Sequence, residues 1–185
     1  MSELDYLELE RQSETKHEYV NGRIVAMSGG TSRHSLLAAN TIRAVGERLR
    51  TGGRNCVPLT SDQRIYVPAT GLYTYPDVTV VCGKPEYHTT DPSTLVNPIL
   101  IVEVLSTSTE AYDRGAKFAH YQSLVSLKGY VLISQAERRI ESFLKVEVGW
   151  LYTEFRGQAV ATLEAIEVTV PLDEIYENAE SFAGD

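Results

Sequence analysis

Apolar positions fall into two rhythms along this chain. Leu37, Thr41, Val45 and Leu49, with Ala38 and Ile42, recur at helical spacing and predict a helix over residues 35–50, ended by Gly52-Gly53. Residues 111–124 repeat the pattern through Ala116, Phe118, Tyr121 and Leu124. Residues 2–16 read as a short helix with Leu4, Leu7 and Leu9 among charges. Other stretches are dense in Val, Ile and Leu: 77–82 (DVTVVC), 99–105 (ILIVEVL) and 130–134. Near-continuous apolar runs predict strands buried on both faces. Residues 17–20 and 23–27 flank Asn21-Gly22, a two-residue hairpin signal. A second hairpin, 140–148 with 150–155, turns about Gly149, and 55–58, 63–67 and 168–170 read as short strands. A Gly/Ser/Thr loop spans 28–35, and a short acidic helix spans 172–179.

Helices and strands interleave without repeats or linkers. This predicts one α/β (α+β) domain over 1–185, a mixed central sheet with flanking helices and an N-terminal hairpin.

Two acids stand out by position. Asp77 follows Pro76 and opens an apolar strand; Glu103 lies inside another. A carboxylate there is costly unless it is paired or bound to a metal. The bland alternative is a strand-end acid satisfied by backbone donors or an arginine. Two such acids in neighbouring strands favour hard-oxygen ligation of Mg²⁺ or Mn²⁺. Asp113, Lys117 and Tyr121 are spaced i, i+4, i+8 on the following helix. The alternative for that spacing is a surface Asp–Lys pair worth about 0.3 kcal/mol.

Tyr75-Pro76-Asp77, Glu103-Val104-Leu105-Ser106, the run Tyr112-Asp113-Arg114-Gly115-Ala116-Lys117, Tyr121 and Tyr130-Val131-Leu132-Ile133 together closely resemble the Uma-two family. These are endonucleases of the restriction-endonuclease-like, PD-(D/E)xK superfamily. The resemblance also takes in the stretch from Lys16 through Glu18 to Gly22, Arg33-His34 and Ser61-Asp62-Gln63-Arg64-Ile65, and covers about residues 4–170. It implies a restriction-endonuclease-like sheet and Mg²⁺-dependent hydrolysis of nucleic-acid phosphodiesters. Asp77 and Glu103 would hold the metal, with the Val104 carbonyl and Glu18 assisting. The superfamily lysine stands two residues after the second acid, where this chain has Leu105; Lys117 is the matching lysine, moved to the next helix. His34, Gln63, Arg64 and Gln122 would line the substrate site, although a histidine capping the loop before a helix is an equal reading of His34. Gly129 stands where relatives often carry an acid, which this chain lacks.

Charge sharpens the expectation. The net charge is −8, but residues 147–185 carry nine acids against Arg156 alone. The rest is neutral, and residues 33–64 hold a local excess of arginines, including Arg43, Arg50 and Arg54. Such a stretch is either a solvated helix face or a phosphate-binding one. Tyr66, Tyr73, Tyr75 and Tyr87 would be base-stacking residues or, more commonly, half-buried strand residues. Cys56 and Cys82 read as small buried hydrophobes rather than a disulfide framework. With no signal peptide and no apolar run of spanning length, the expectation is a cytoplasmic protein that does not enter membranes. Its partner would be nucleic acid, DNA before RNA, and it would act as a homodimer. The competing function is a non-catalytic nucleic-acid-binding or assembly module on the same fold. A hydrolase of small phosphate esters is weaker, and the lack of a GxxxxGK[ST] loop disfavours an NTPase.

Overall fold

The computed structural model describes residues 1–27 and 29–182. Helix α1 (Glu3–Gln12) opens the chain, with Ser2 and Asp5 capping each other's backbone. The hairpin of β1 (His17–Val20) and β2 (Arg23–Ala26) turns at Asn21 and Gly22, both at positive φ. That is the backbone an Asn-Gly turn adopts at low cost. Helix α2 (Ser32–Thr51) starts three residues earlier than its apolar pattern predicts. The Thr31 side chain accepts the His34 N–H and begins the helix there. Residue 28 of the expected loop lies outside the described residues.

Seven strands follow: β3 (Cys56–Thr60), β4 (Arg64–Val67), β5 (Leu72–Thr74), β6 (Val78–Cys82), β7 (Tyr87–His88), β8 (Asp91–Leu95) and β9 (Leu100–Leu105). The helix expected at 111–124 is three pieces: α3 (Glu110–Tyr112), a π turn (Asp113–Lys117) and α4 (Phe118–Gln122). Then come β10 (Gly129–Ser134), β11 (Arg139–Val146), β12 (Gly149–Arg156), β13 (Val160–Leu163), β14 (Val168–Pro171) and α5 (Leu172–Ile175).

Twelve strands build two six-stranded sheets rather than one, ordered β3-β6-β9-β10-β11-β12 and β2-β1-β5-β4-β8-β7, and β13 pairs with β14 in a small third sheet. In the first, β9 and β10 run parallel, with α3, the π turn and α4 as their crossover. One face of this sheet packs Val78, Val80, Val102, Val104 and Val131 on Leu37, Val45 and Leu49 of α2. The other packs Ile101, Leu105 and Leu132 on Phe118, Tyr121 and residues of the second sheet. Burial on both faces accounts for the unbroken apolar runs. Side chains alternate along a strand, so Glu103 shares the Ile101 and Leu105 face and points to the helix carrying Lys117.

The acidic C-terminal segment is part of the fold. α5 and β14 pack on α2, and Glu174 holds Arg48 at 2.7 Å, Glu177 holds Arg43 at 2.5 Å and Glu167 holds Arg54. Arg43 and Arg48 of α2, and Arg54 just beyond it, therefore face carboxylates of the same molecule, which favours the solvated-face reading of Arg43 and Arg54 over the phosphate-binding one.

The cysteine expectation is corrected too. Cys56 and Cys82 are half-buried register partners on β3 and β6 and form a disulfide. Their separation of 26 residues hides a pairing that only strand register creates. Tyr66 and Tyr73 meet at a tilt within a cluster containing Tyr6 and Tyr19, and Tyr75 is buried, whereas Tyr87 is exposed.

Gly129 sits at the start of β10 opposite Leu100, three residues along β9 from Glu103, about 10 Å away. An acid here would not belong to the Glu103 cluster, so its absence leaves that cluster whole. A Cβ at Gly129 would lie 2.6 Å from Leu100 Cδ1 and 2.7 Å from Ala165 Cβ. Gly129→Asp should cost about 3 kcal/mol through overpacking and a buried carboxylate, read as a lower urea midpoint.

Candidate active site

Register brings the two acids together. Asp77 sits one residue before β6, opposite Glu103 if the β6–β9 ladder is continued by one pair. The Asp77 N–H lies 3.4 Å from Glu103 Oε2, and Asp77 Oδ2 accepts the Val104 N–H at 2.7 Å. The same Asp77 oxygen lies 3.2 Å from His34 Nε2, in the first turn of α2.

On its other side Glu103 meets the crossover helix. Lys117 Nζ is 3.0 Å from Glu103 Oε1, and the Tyr121 hydroxyl donates to that oxygen at 2.7 Å. Glu103 is 3% exposed and Lys117 5%, so these are desolvated contacts. Lys117 Nζ also lies 3.3 Å from Glu18 Oε1 and 3.6 Å from Asp113 Oδ1. The surface-pair reading of Asp113 and Lys117 fails on this burial. Both belong to a π turn, a feature frequent at functional sites. Glu18 arrives from β1 and is held by the Thr74 hydroxyl on β5.

Three carboxylates thus surround one ammonium, with Asp77 behind Glu103 as a fourth acid of the cluster. Burial pushes Glu103 above the ordinary carboxylate range; Lys117 pulls it back, while Asp113 and Asp77 push with burial. Asp113 is raised for the same first reason. Burial alone would discharge Lys117, but Glu103, Tyr121, Glu18 and Asp113 outweigh it and hold the proton on.

These groups line a cleft of about 690 Å³ together with Lys16, Ser106, Ser108, Thr109 and Tyr112. The cleft gathers Asp77, Glu103, Val104, Lys117, Glu18 and His34 from the sequence-predicted set. It does not gather the other three. Arg64 is buried beneath the second sheet, 2.5 Å from Asp91 and hydrogen-bonded to Thr94 and Tyr75. Gln63 donates to the carbonyls of Arg64 and Ser93. Gln122 is exposed at the end of α4, on the turn after Tyr121. Their placement outside the cleft follows from these contacts.

The profile of the Uma2 family, described as "Putative restriction endonuclease", matches residues 4–173. The chain belongs to the Uma2 family. Two uncharacterised proteins of Synechocystis are similar to it. One is 36% identical over 177 residues, covering 95% of this chain and 91% of the relative. The other is 35% identical over 155 residues, covering 83% and 86%. A crystal structure from Anabaena variabilis, described as a putative nuclease belonging to DUF820, shares the restriction-endonuclease-like fold. It superposes with a TM-score of 0.77 at 14% identity over 97% of this chain and 99% of that one.

Within this Uma2 site, sequence reasoning did not assign Asp113, Tyr121 and Thr74 to the cluster. The i, i+4, i+8 spacing was the signal for the first two. Thr74 had none, because it reaches Glu18 only through the pairing of β1 with β5.

Proposed function

We propose that this chain is a Mg²⁺- or Mn²⁺-dependent endonuclease that hydrolyses phosphodiester bonds in nucleic acid. The observation that carries the reading is buried Lys117 fixed at 3.0 Å from Glu103, with Asp77 opposite, in one open cleft. The donor set fits a hard cation: four carboxylates with one lysine leave a charge excess that a divalent ion offsets. Among the described residues no three His, Cys, Asp or Glu side chains already converge on one point. Mg²⁺ binds through one or two carboxylates and keeps several waters, which is the role open to Asp77 and Glu103. Asp77 and Glu103 would hold it, with the Val104 carbonyl and Glu18 assisting. When bound, the ion supplies Lewis-acid polarisation of the phosphate and a more acidic water.

The chain's own residues do the positioning. Lys117 is a fixed point charge for the phosphate oxygens as their negative charge grows. Tyr121 and Glu103 hold that ammonium in place, and the Val104 N–H fixes the Asp77 carboxylate. His34, beside Asp77 at the start of α2, is placed to donate to a phosphate oxygen.

The family description supports DNA as the substrate before RNA, and a nuclease of cellular DNA is expected in the cytoplasm. A homodimer is part of the same proposal, supported by the open edge at β12, where Leu151 is 52% exposed. Among the described residues no helix is long and apolar enough to cross a membrane.

The test is incubation of the purified chain with single- and double-stranded DNA and RNA in Mg²⁺ or Mn²⁺. Cleavage should disappear in EDTA and fall at least 100-fold in Asp77→Ala. Equal cleavage by Asp77→Ala would overturn the reading. A melting temperature unmoved by Mg²⁺ would favour the non-catalytic module.

A further inference from the structure

Resting on the endonuclease reading, the charge layout around the cleft says what form of polynucleotide it takes. A duplex lying across a protein needs roughly 6–10 phosphate contacts from Lys and Arg. Arg43 and Arg48 on α2 and Arg54 after it are paired with Glu177, Glu174 and Glu167. Arg138 is committed to Asp173, and Arg156 to Glu137 and Glu154. Of the remaining cations, Lys128 and Lys145 sit at the opposite end of the large sheet from Glu103, joined there by a backbone hydrogen bond. Arg50 lies sixteen residues along α2 from His34, about 24 Å away. Lys84 follows β6, at the end away from Asp77.

At the cleft itself there is little positive charge. Lys16 is held by Asp62 and the Ser61 carbonyl, and Lys117 is buried among carboxylates. Arg23 on β2 and half-buried Arg33, next to His34 in sequence, hold no carboxylate among the described residues, and neither lines the cleft. Two arginines cannot serve both backbones of a duplex.

The cleft offers something else. Val25, Met27, Ala38, Ala39 and Ile42 form an apolar wall, and Tyr112 lines the cleft as well. Val25 is 58% exposed and Ala39 is exposed, although both border the catalytic cluster. A base stacked on an aromatic ring gains about 1–3 kcal/mol without regard to sequence, and Tyr112 offers such a ring beside the aliphatic wall, whereas a base stacked within a duplex has no face to offer. The volume of 690 Å³ is in the class of a small-molecule pocket, not of a duplex-wide groove. We infer that the cleft seats a short single-stranded polynucleotide segment, with bases on the Val25–Ala39 wall and the backbone turned to His34 and Lys117.

Fluorescence anisotropy of the full chain tests this. A labelled 12-mer of single-stranded DNA, the same sequence as RNA, and the DNA duplex are titrated in Ca²⁺ and in EDTA. The expected result is single strand bound at least ten-fold tighter than duplex. The salt slope should be shallower than about −2, set against about −5 for six duplex contacts. Val25→Glu and Ala39→Glu, both at exposed positions, should weaken single-strand binding ten-fold, whereas Arg43→Glu should leave it unchanged. The RNA arm identifies the sugar. Duplex affinity equal to or above single strand, no binding of either, or full affinity in both wall variants would overturn the inference. Single-strand preference without cleavage in Mg²⁺ or Mn²⁺ would count against the endonuclease reading alone.

Discussion

Replacing Lys117 by Met should reduce cleavage by about 10²–10³-fold, the usual cost of removing one preorganised charge-stabilising donor. It should also destabilise the protein by about 3–5 kcal/mol, because one partner of a buried ionic cluster is removed and the other charges remain. The two effects separate by pH. In the variant only the Tyr121 hydrogen bond opposes burial, Asp113 and Asp77 in raising Glu103, so its folded-state pKa stands further above the unfolded value of about 4.3. The folded state then binds more protons than the unfolded one across that interval, and stability falls as pH rises. Denaturation in EDTA should therefore show Lys117→Met closer to wild type at pH 5 than at pH 8. Equal stability loss at both values would mean that Lys117 does not compensate the carboxylates.

The second large effect lies away from the cleft. Arg64→Met should cost about 3–5 kcal/mol by stranding a buried Asp91. Burial alone would raise Asp91, but hydrogen bonds from Thr94, Ser93 and Arg64 prevail and hold it at about 2. A lowered folded pKa gives stability that is present above the unfolded value of about 3.9 and lost as pH falls toward 2. In Arg64→Met that acid-side loss should shrink, since part of the contribution is already gone. Cleavage per folded molecule should stay at the wild-type level, which a substrate-binding Arg64 would not allow. Gln122→Ala should change neither stability nor cleavage, because Gln122 is exposed outside the cleft.

Much of the site was legible because cost leaves a trace in sequence. A carboxylate in an apolar strand needs a reason, and Asp77 and Glu103 stood out as a pair, although a strand-end acid held by a backbone donor, as Asp77 is by the Val104 N–H, was an open reading. Arg64 misled for the complementary reason. It stands beside Gln63 in a polar stretch, and nothing local shows that Asp91, 27 residues on, will meet it under the second sheet. The C-terminal acids misled similarly: as a tail they are a charge excess, and against α2 they are partners for Arg43, Arg48 and Arg54.

By itself the sequence determined the buried strands, the Asn-Gly hairpin, helix α2 and which acids need partners. These depend on neighbours within a few residues, where side-chain period and turn chemistry act. Tertiary structure alone decided that the strands divide among three sheets, that Cys56 meets Cys82, and that the helix face of Asp113, Lys117 and Tyr121 turns to Glu103 with Thr74 holding Glu18 beside it. Strand register and helix docking set these contacts across tens of residues, and burial then makes each of them electrostatically strong. The net charge of −8 belongs to both levels: composition states its sign, and folding sets Glu167, Glu174 and Glu177 against Arg54, Arg48 and Arg43.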